Sequence, residues 1–211
     1  MNCLELFERP DVSTFELSAK QLSIHPCTLA TVSDFIEKHH YSHSVDGVRV
    51  TQCFAVTAFD ELVGAVLFGA MSTTAWKKFA EKESEVVELR RLVLIDGAGR
   101  NSESRVVGWT LRWLRKTCKH IRVVVSYADP AHGHSGTIYR ASNFKYIGLS
   151  GKDIGVRDPQ TGRIYHSWCL RNKYNGELKP FAKRLNALLE QGQLERVELP
   201  LKHCFVYHFS R

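Results

Sequence analysis

The densest set of groups able to do chemistry lies between Tyr127 and Phe144. It reads Tyr127-Ala128-Asp129-Pro130, then His132-Gly133-His134-Ser135-Gly136-Thr137-Ile138-Tyr139-Arg140-Ala141-Ser142-Asn143-Phe144. The apolar run before Asp129 predicts a buried strand. That strand delivers the carboxylate to its C-terminal end, where α/β sheets commonly place ligands. Pro130 stops the strand. Gly133 and Gly136 allow backbone to come close to a ligand. The helix expected next, begun by Ser135, opens with free N–H groups that suit an anion. Tyr139, one turn in, points back toward the same mouth. The plainer reading stays open beside this one: Asp129 caps the helix and Tyr139 belongs to the core.

Histidines form a second group. His39, His40, His43, His132 and His134 fall in two loop-like stretches. Two of them with Asp129 could form a facial triad for iron, with His132 and His134 the weak candidates. No H-x-D or H-E-x-x-H spacing supports a metal, and imidazoles bonding to phosphate or base are the simpler account. Trp76, Trp109, Trp113 and Trp168 could stack on an extruded base. Trp109 and Trp113 are i and i+4 on one helix, which suits core packing. Trp76, beside Lys77 and Lys78, is the better DNA-contact candidate.

The elements that must position these residues follow from periodicity. A helix is predicted over 28–38, running into the polar stretch His39 to His43. Two strands follow over 51–60 and 61–72, with a turn near Asp60-Glu61, and a third over 86–95, broken by Asp96-Gly97-Ala98-Gly99. Caps at Asn101 to Ser104 precede a helix over 105–118, whose polar side carries Arg112, Arg115, Lys116 and Lys119. A buried strand over 121–130 and the short helix with Tyr139 come next. Then come strands over 144–151 and 163–172 joined by a loop over 152–162, a charged helix over 179–191, and an apolar-basic tail.

Antiparallel hairpins around one or two crossovers make a mixed α/β sheet, mostly antiparallel and flanked by helices. This order matches the GNAT-type acyltransferase fold. One domain over 1–211 is expected, with the C-terminal helix and tail (about 175–211) packed on it. Acyltransferases of this fold cradle the CoA pyrophosphate on R/Q-x-x-G-x-G/A. Neither Asp96-Gly97-Ala98-Gly99-Arg100 nor Arg105-Val106-Val107-Gly108-Trp109-Thr110 matches that spacing. The donor therefore stays open between acetyl-CoA and a glycyl group carried on transfer RNA.

Apolar residues make up 44% of the 211, enough for a real core. No run is long enough to span a membrane. The acidic N-terminus, MNCLELFERPDVS, does not suit a secretion signal. Six cysteines without a C-x-x-C pair read as free, mostly buried thiols in a reducing compartment. The net charge of +7 suits a polyanionic partner, DNA or transfer RNA. A homodimer is left open.

The run ADP-x-H-G-H-x-G-x-I-Y-R-A-S-N-F-x-Y-x-G resembles the core signature of the Mom-type DNA-modification proteins of Mu-like phages. His40-Tyr41-Ser42, Glu88-Leu89-Arg90-Arg91-Leu92, Asn101-x-x-Ser104-Arg105 and Pro200-Leu201-Lys202-His203 are similar to further family pieces, in the family's order. The resemblance covers about residues 30 to 208. It implies a GNAT-like fold and conversion of adenine in DNA to N6-carbamoylmethyladenine, which protects phage DNA from host restriction. It also implies residence in the cytoplasm of the bacterial host.

Resemblance and local geometry together suggest roles. Asp129 would accept a proton or hydrogen bond from N6, and Tyr139 would donate to the leaving group or oxyanion. Tyr41, with His40 and Ser42, would position base or donor. Arg91 would hold a phosphate or carboxamide oxygen. Asn101, Ser104 and Arg105, at a helix start, would bind donor phosphate. Trp76, Lys77, Lys78, Arg112, Arg115, Lys116 and Arg140 would contact DNA. Rival readings are an acyltransferase acting on a small amine or protein, a non-catalytic nucleic-acid binder, and a metal-dependent oxygenase.

Overall fold

A computed structural model describes residues 17–45, 47–71 and 74–210. The N-terminal stretch and Cys3, considered above, lie outside the described residues. In chain order the elements begin with β1 (Ser23–Pro26), α1 (Leu29–His39), β2 (Val50–Ala58), β3 (Glu61–Gly69), β4 (Val86–Leu94) and α2 (Ser102–Thr117). They continue with β5 (Val123–Ala128), α3 (Thr137–Ala141), β6 (Lys145–Leu149), β7 (Ile154–Arg157), β8 (Ile164–His166) and α4 (Ser167–Arg171). The last are β9 (Lys173–Tyr174), β10 (Glu177–Leu178), α5 (Pro180–Glu190), β11 (Glu195–Glu198) and β12 (His203–His208). The chain divides into two compact units. One holds the residues up to Ala128, Gly136–Ile147 and the chain from Cys204 on; the other holds Asp129–Ser135 and Gly148–His203.

The first unit is built on a seven-stranded sheet of order β1-β2-β3-β4-β5-β12-β6. β1 to β4 form an antiparallel meander, and β4 pairs β5 in parallel across the α2 crossover. Both faces are covered, so β2 and β3 are apolar on both sides. Phe54, Val56, Val66 and Phe68 pack with Val106, Val107, Leu111 and Leu114 of α2. The alternate residues Cys53, Ala55, Ala65 and Leu67 pack with Val32 and Ile36 of α1, as the period of two requires. The β2–β3 turn sits at Phe59-Asp60, one residue earlier than expected. Both have positive φ, 50° and 65°, the geometry of a two-residue primed turn that matches strand twist.

Two irregularities of β4 matter for chemistry. Leu67 pairs Arg91 but Phe68 pairs Leu89, so Arg90 is the extra residue of a bulge, a device that re-aims side chains. The β4–β5 register runs from Val86↔Val123 to Leu89↔Ser126 and ends there. Beyond it, Arg90–Leu94 and Tyr127–Ala128 continue without pairing across that seam.

The second unit has a three-stranded sheet, β11-β7-β8, and a hairpin, β9–β10. Its core is Val156, Cys169, Leu185 and Leu194. Two expectations are corrected here. The stretch over 152–162 is not only a loop, since it contains β7. The stretch over 163–172 is not one strand, since it turns into α4 after His166. That turn places Cys169 in the small core, a tertiary contact that overrides the β-prone local sequence.

Candidate active site

In the first unit, Tyr139 lies on α3 with its ring 5.6 Å from Phe144 and 5.4 Å from Phe205. This aromatic setting is what the core reading expected, yet the phenol keeps polar neighbours. Burial pushes its pKa up; Ser126 opposes this, while Tyr41 and Glu88 add to it. The phenol therefore stays protonated at neutral pH, as a donor must. The Ser126 hydroxyl faces it from the last paired residue of β5. That hydroxyl is fully buried and closes no hydrogen bond of strict geometry, so its influence on the phenol is that of a near neighbour.

His40-Tyr41-Ser42 folds into a local knot. The buried His40 accepts the Ser42 backbone N–H at Nδ1, 3.1 Å away, and Ser42 Oγ lies 2.8 Å from the same nitrogen. That bond assigns the neutral proton to Nε2. The rings of His40 and Tyr41 are 4.2 Å apart. Arg91 braces this loop: Nε and Nη2 donate to the Ser44 carbonyl at 3.2 and 3.0 Å, and Nη1 to the Arg90 carbonyl at 2.8 Å. Three of the five guanidinium N–H groups are thus committed to backbone, which makes Arg91 first a clamp on the Tyr41 loop. Burial lowers its pKa, offset in part by Tyr41.

Sequence reasoning noted Glu88 only as part of a motif. It is buried, and its Oε2 accepts from Arg90 Nη1 at 2.8 Å. Its charge is felt by Tyr139, Arg91 and Tyr127. The signal was available: a carboxylate inside the apolar run VVELRRLVLI is costly unless paired. The structure thus gathers Tyr41, Glu88, Arg91, Ser126 and Tyr139 where the parallel strands part. Such a group can orient a substrate and donate one proton.

Asp129 belongs to the second unit. Its Oδ2 meets Lys202 Nζ at 2.9 Å, and its Oδ1 accepts the Ala131 N–H at 3.0 Å. Burial pushes this carboxyl up, but Lys202, the Ala131 N–H and His132 outweigh it and hold the pKa below its ordinary value. Lys202 is itself fixed by a bracket to Ser150: its N–H donates to Ser150 Oγ at 2.9 Å and its carbonyl accepts Ser150 N–H at 2.7 Å. Asp129 is therefore an anion that accepts hydrogen bonds, and a weak general base. The capping alternative is realised in altered form, because Asp129 caps the 3-10 turn Pro130–His132 and not α3.

Three expectations for this stretch change. Gly136, not Ser135, caps α3. Its φ is +77°, and a Cβ there would overlap the Phe205 ring, so the close approach it permits is to an aromatic side chain. Gly133 (φ +73°) has open space around it and is required by conformation alone. α3 spans Thr137–Ala141, too short to present a developed anion site.

Of the donor-phosphate candidates, Asn101, Ser104 and Arg105 do stand at the start of α2. Asn101 is left-handed and gives no side-chain cap, while Ser104 Oγ donates to its carbonyl at 3.0 Å. The preceding glycine loop is already occupied. Gly99 N–H donates to the Leu17 carbonyl at 2.6 Å and Leu17 N–H to the Gly97 carbonyl at 2.8 Å. A Cβ on Gly99 would overlap that Leu17 carbonyl, which explains this glycine without a phosphate.

Arg112, Arg115 and Lys116 are exposed on α2, as are Lys77, Lys78 and Arg140 on their elements. Arg140 stacks over Phe205 and Tyr146. Trp76 is half-buried, packed against the cluster that contains Met71, Val125 and Cys204, with Lys77 Nζ 5.7 Å above its ring. Trp109 and Trp113 meet Phe54 edge-on at 5.9 and 5.1 Å, core packing as the spacing suggested. His43 bonds the Glu37 carbonyl at 2.9 Å and His39 stacks on Phe35. No three His, Cys, Asp or Glu residues among those described are grouped to hold a metal ion, so the iron triad of two histidines with Asp129 has no counterpart. Cys27, Cys53, Cys118, Cys169 and Cys204 are free thiols. No helix among the described residues is long and apolar enough to cross a membrane.

Residues 21–211 match the Mom protein family. The chain belongs to this family. A curated relative, the methylcarbamoylase Mom of Escherichia phage Mu, is 29% identical over 151 residues, which are 70% of this chain and 61% of that protein. The matched part thus spans about three-fifths of the relative's length. In three dimensions the fold matches Arabidopsis thaliana NAA60 crystallised with acetyl-CoA (TM-score 0.53, 10% identity, 89% of this chain and 99% of that one). The same protein with a bisubstrate analogue gives a TM-score of 0.50 at 11% identity, over 89% and 97%. This Mom-family chain therefore has a GNAT-like fold, as the strand order predicted.

Proposed function

We propose that the chain transfers a two-carbon amide-bearing group to the N6 amine of adenine in DNA, giving N6-carbamoylmethyladenine and so shielding phage DNA from restriction. The observation that carries this reading is the Mom-family match over nearly the whole chain, on a fold whose half-buried Tyr139 stays protonated where β4 and β5 part. N6 is a poor nucleophile that must be unpaired and held in attack geometry. Tyr41, braced by Arg91 on the Ser44 carbonyl, would position the base. Tyr139 would donate to the developing oxyanion or leaving group. In the second unit, Asp129 is an anion set by Lys202, chemically suited to accept a proton or a hydrogen bond.

The donor follows from atom balance. A carbamoylmethyl group has the same atoms as a glycyl group, whereas an acetyl group lacks the nitrogen. A glycyl ester on transfer RNA therefore supplies every atom, although a rearrangement must follow acyl transfer. Acetyl-CoA is the second reading, favoured by the likeness to a fold crystallised with acetyl-CoA; it would transfer an acetyl group with CoA leaving as the thiol, and the product would be N6-acetyladenine instead. Expressing the chain in a bacterium and digesting the DNA to nucleosides tests the central claim. Mass spectrometry should find a modified deoxyadenosine; an abundant, folded protein with unmodified DNA would overturn it. Purified protein given labelled glycyl-tRNA or labelled acetyl-CoA then separates the donors by which label reaches DNA.

A further inference from the structure

The second unit carries a surface that the proposed chemistry does not use. Between Arg163 and Arg184 the chain has six Lys or Arg against Glu177 alone, a net +5 of the chain's +7. That one acid is met by Lys183 at 3.6 Å. Aromatic side chains interleave with the cations and stay exposed: Trp168 at 46%, Phe181 at 48% and Tyr174 at 71%, the last being the highest among the large apolar side chains described.

The elements hold these groups out to solvent. Asn175 and Gly176 have φ of +49° and +84°, a primed two-residue turn that closes the β9–β10 hairpin. Tyr174 pairs Glu177 beside that turn, with Lys173 next along the strand. The Lys183–Glu177 pair ties the hairpin to α5. On α5, Phe181 meets Tyr165 edge-on at 5.9 Å, and Arg163 stacks over the Tyr165 ring at 5.0 Å. Arg163, Tyr165, Phe181 and the hairpin form a connected strip of rings and cations.

We infer that this strip is a docking surface for an unpaired strand of DNA, with Tyr174 and Phe181 stacking on bases and the surrounding cations following the phosphates. Rings with open faces beside cations are how sequence-tolerant single-strand binding is built. The strand charge complements the concentration of +5 on this short stretch. The inference rests on the DNA substrate proposed above and gives that substrate a second point of attachment, one fitted to a strand opened around its target base.

Fluorescence anisotropy with a labelled single-stranded DNA, the matching duplex and the matching RNA tests it. Tyr174→Ala, on an exposed hairpin, should keep the melting temperature and weaken single-strand binding roughly five- to a hundredfold, the range for losing one stacked base. Arg171→Gln with Lys173→Gln should reduce the slope of log K against log salt by about 1.4, near 0.7 per phosphate contact. Binding by Tyr174→Ala within twofold of the parent overturns the inference. So does tighter binding of duplex or RNA than of single-stranded DNA by the parent. Adenine modification in cells separates this from the function proposed above. Modified DNA together with unimpaired binding by Tyr174→Ala would sink the strip alone, while unmodified DNA with the expected binding losses would sink the chemistry alone.

Discussion

Tyr139 and Asp129 come from one motif, ten positions apart in the sequence, and the fold treats them in opposite ways. The phenol packs against Phe144 and Phe205, and burial, with Tyr41 and Glu88 adding to it, raises its pKa. The carboxylate is buried more fully, but Lys202 at 2.9 Å and a backbone N–H reverse the outcome and lower its pKa. Desolvation favours the neutral form of both, and a paired charge decides which one escapes it. One residue is thereby held as a proton donor and the other as an acceptor.

The largest effect should come from Tyr139→Phe, which keeps the ring and removes the donor. Modified adenine should fall by about a hundredfold or more, with little change in melting temperature; product at the parent level would leave the phenol only a packing role. Next, Gly136→Ala forces a Cβ against Phe205 at a left-handed position. It should cost about 2 kcal/mol or more in denaturant unfolding and disturb Tyr139 with it.

Lys202→Met removes the cation that sets Asp129. Its carboxyl pKa should rise, moving the acid limb of the pH–rate profile to higher pH, whereas Lys202→Arg should restore the limb. The sign for stability follows from the same pair. A depressed folded pKa stabilises above the unfolded carboxylate value of about 3.9 and loses that contribution as pH falls through the folded pKa. The melting-temperature gap between parent and Asp129→Asn should therefore narrow from about pH 5 downward; a constant gap would mean the pair contributes no charge effect. Ser126→Ala should have the smallest effect, a few-fold on rate, since its hydroxyl already lacks a strict bond.

Most of the first unit was legible because burial on both sheet faces leaves long apolar runs, as in β2, β3 and β5; β1 is only four residues long, and β12 stood in the sequence as a tail although it lies between β5 and β6 in the sheet. The second unit was not. β7 and β8 are three or four residues each, too short for periodicity to show, and α4 forms because Cys169 has a small core to enter. Tyr41, Tyr139 and Asp129 stood out by type and spacing. Lys202 was visible only as part of a tail, since its partner is distant in sequence and only the fold brings them together. Glu88 and Ser126 looked like interruptions of apolar strands, and their polarity acquires meaning from the groups across the seam.

Leu17 sits four residues ahead of the stretch that matches the family, yet it is stitched into the turn after β4 through Gly97 and Gly99. A shortened protein begun at residue 21 would strip away that stitch. It would leave the Gly99 N–H and the Gly97 carbonyl to find water. Anyone trimming the gene for crystallisation should cut upstream of this leucine.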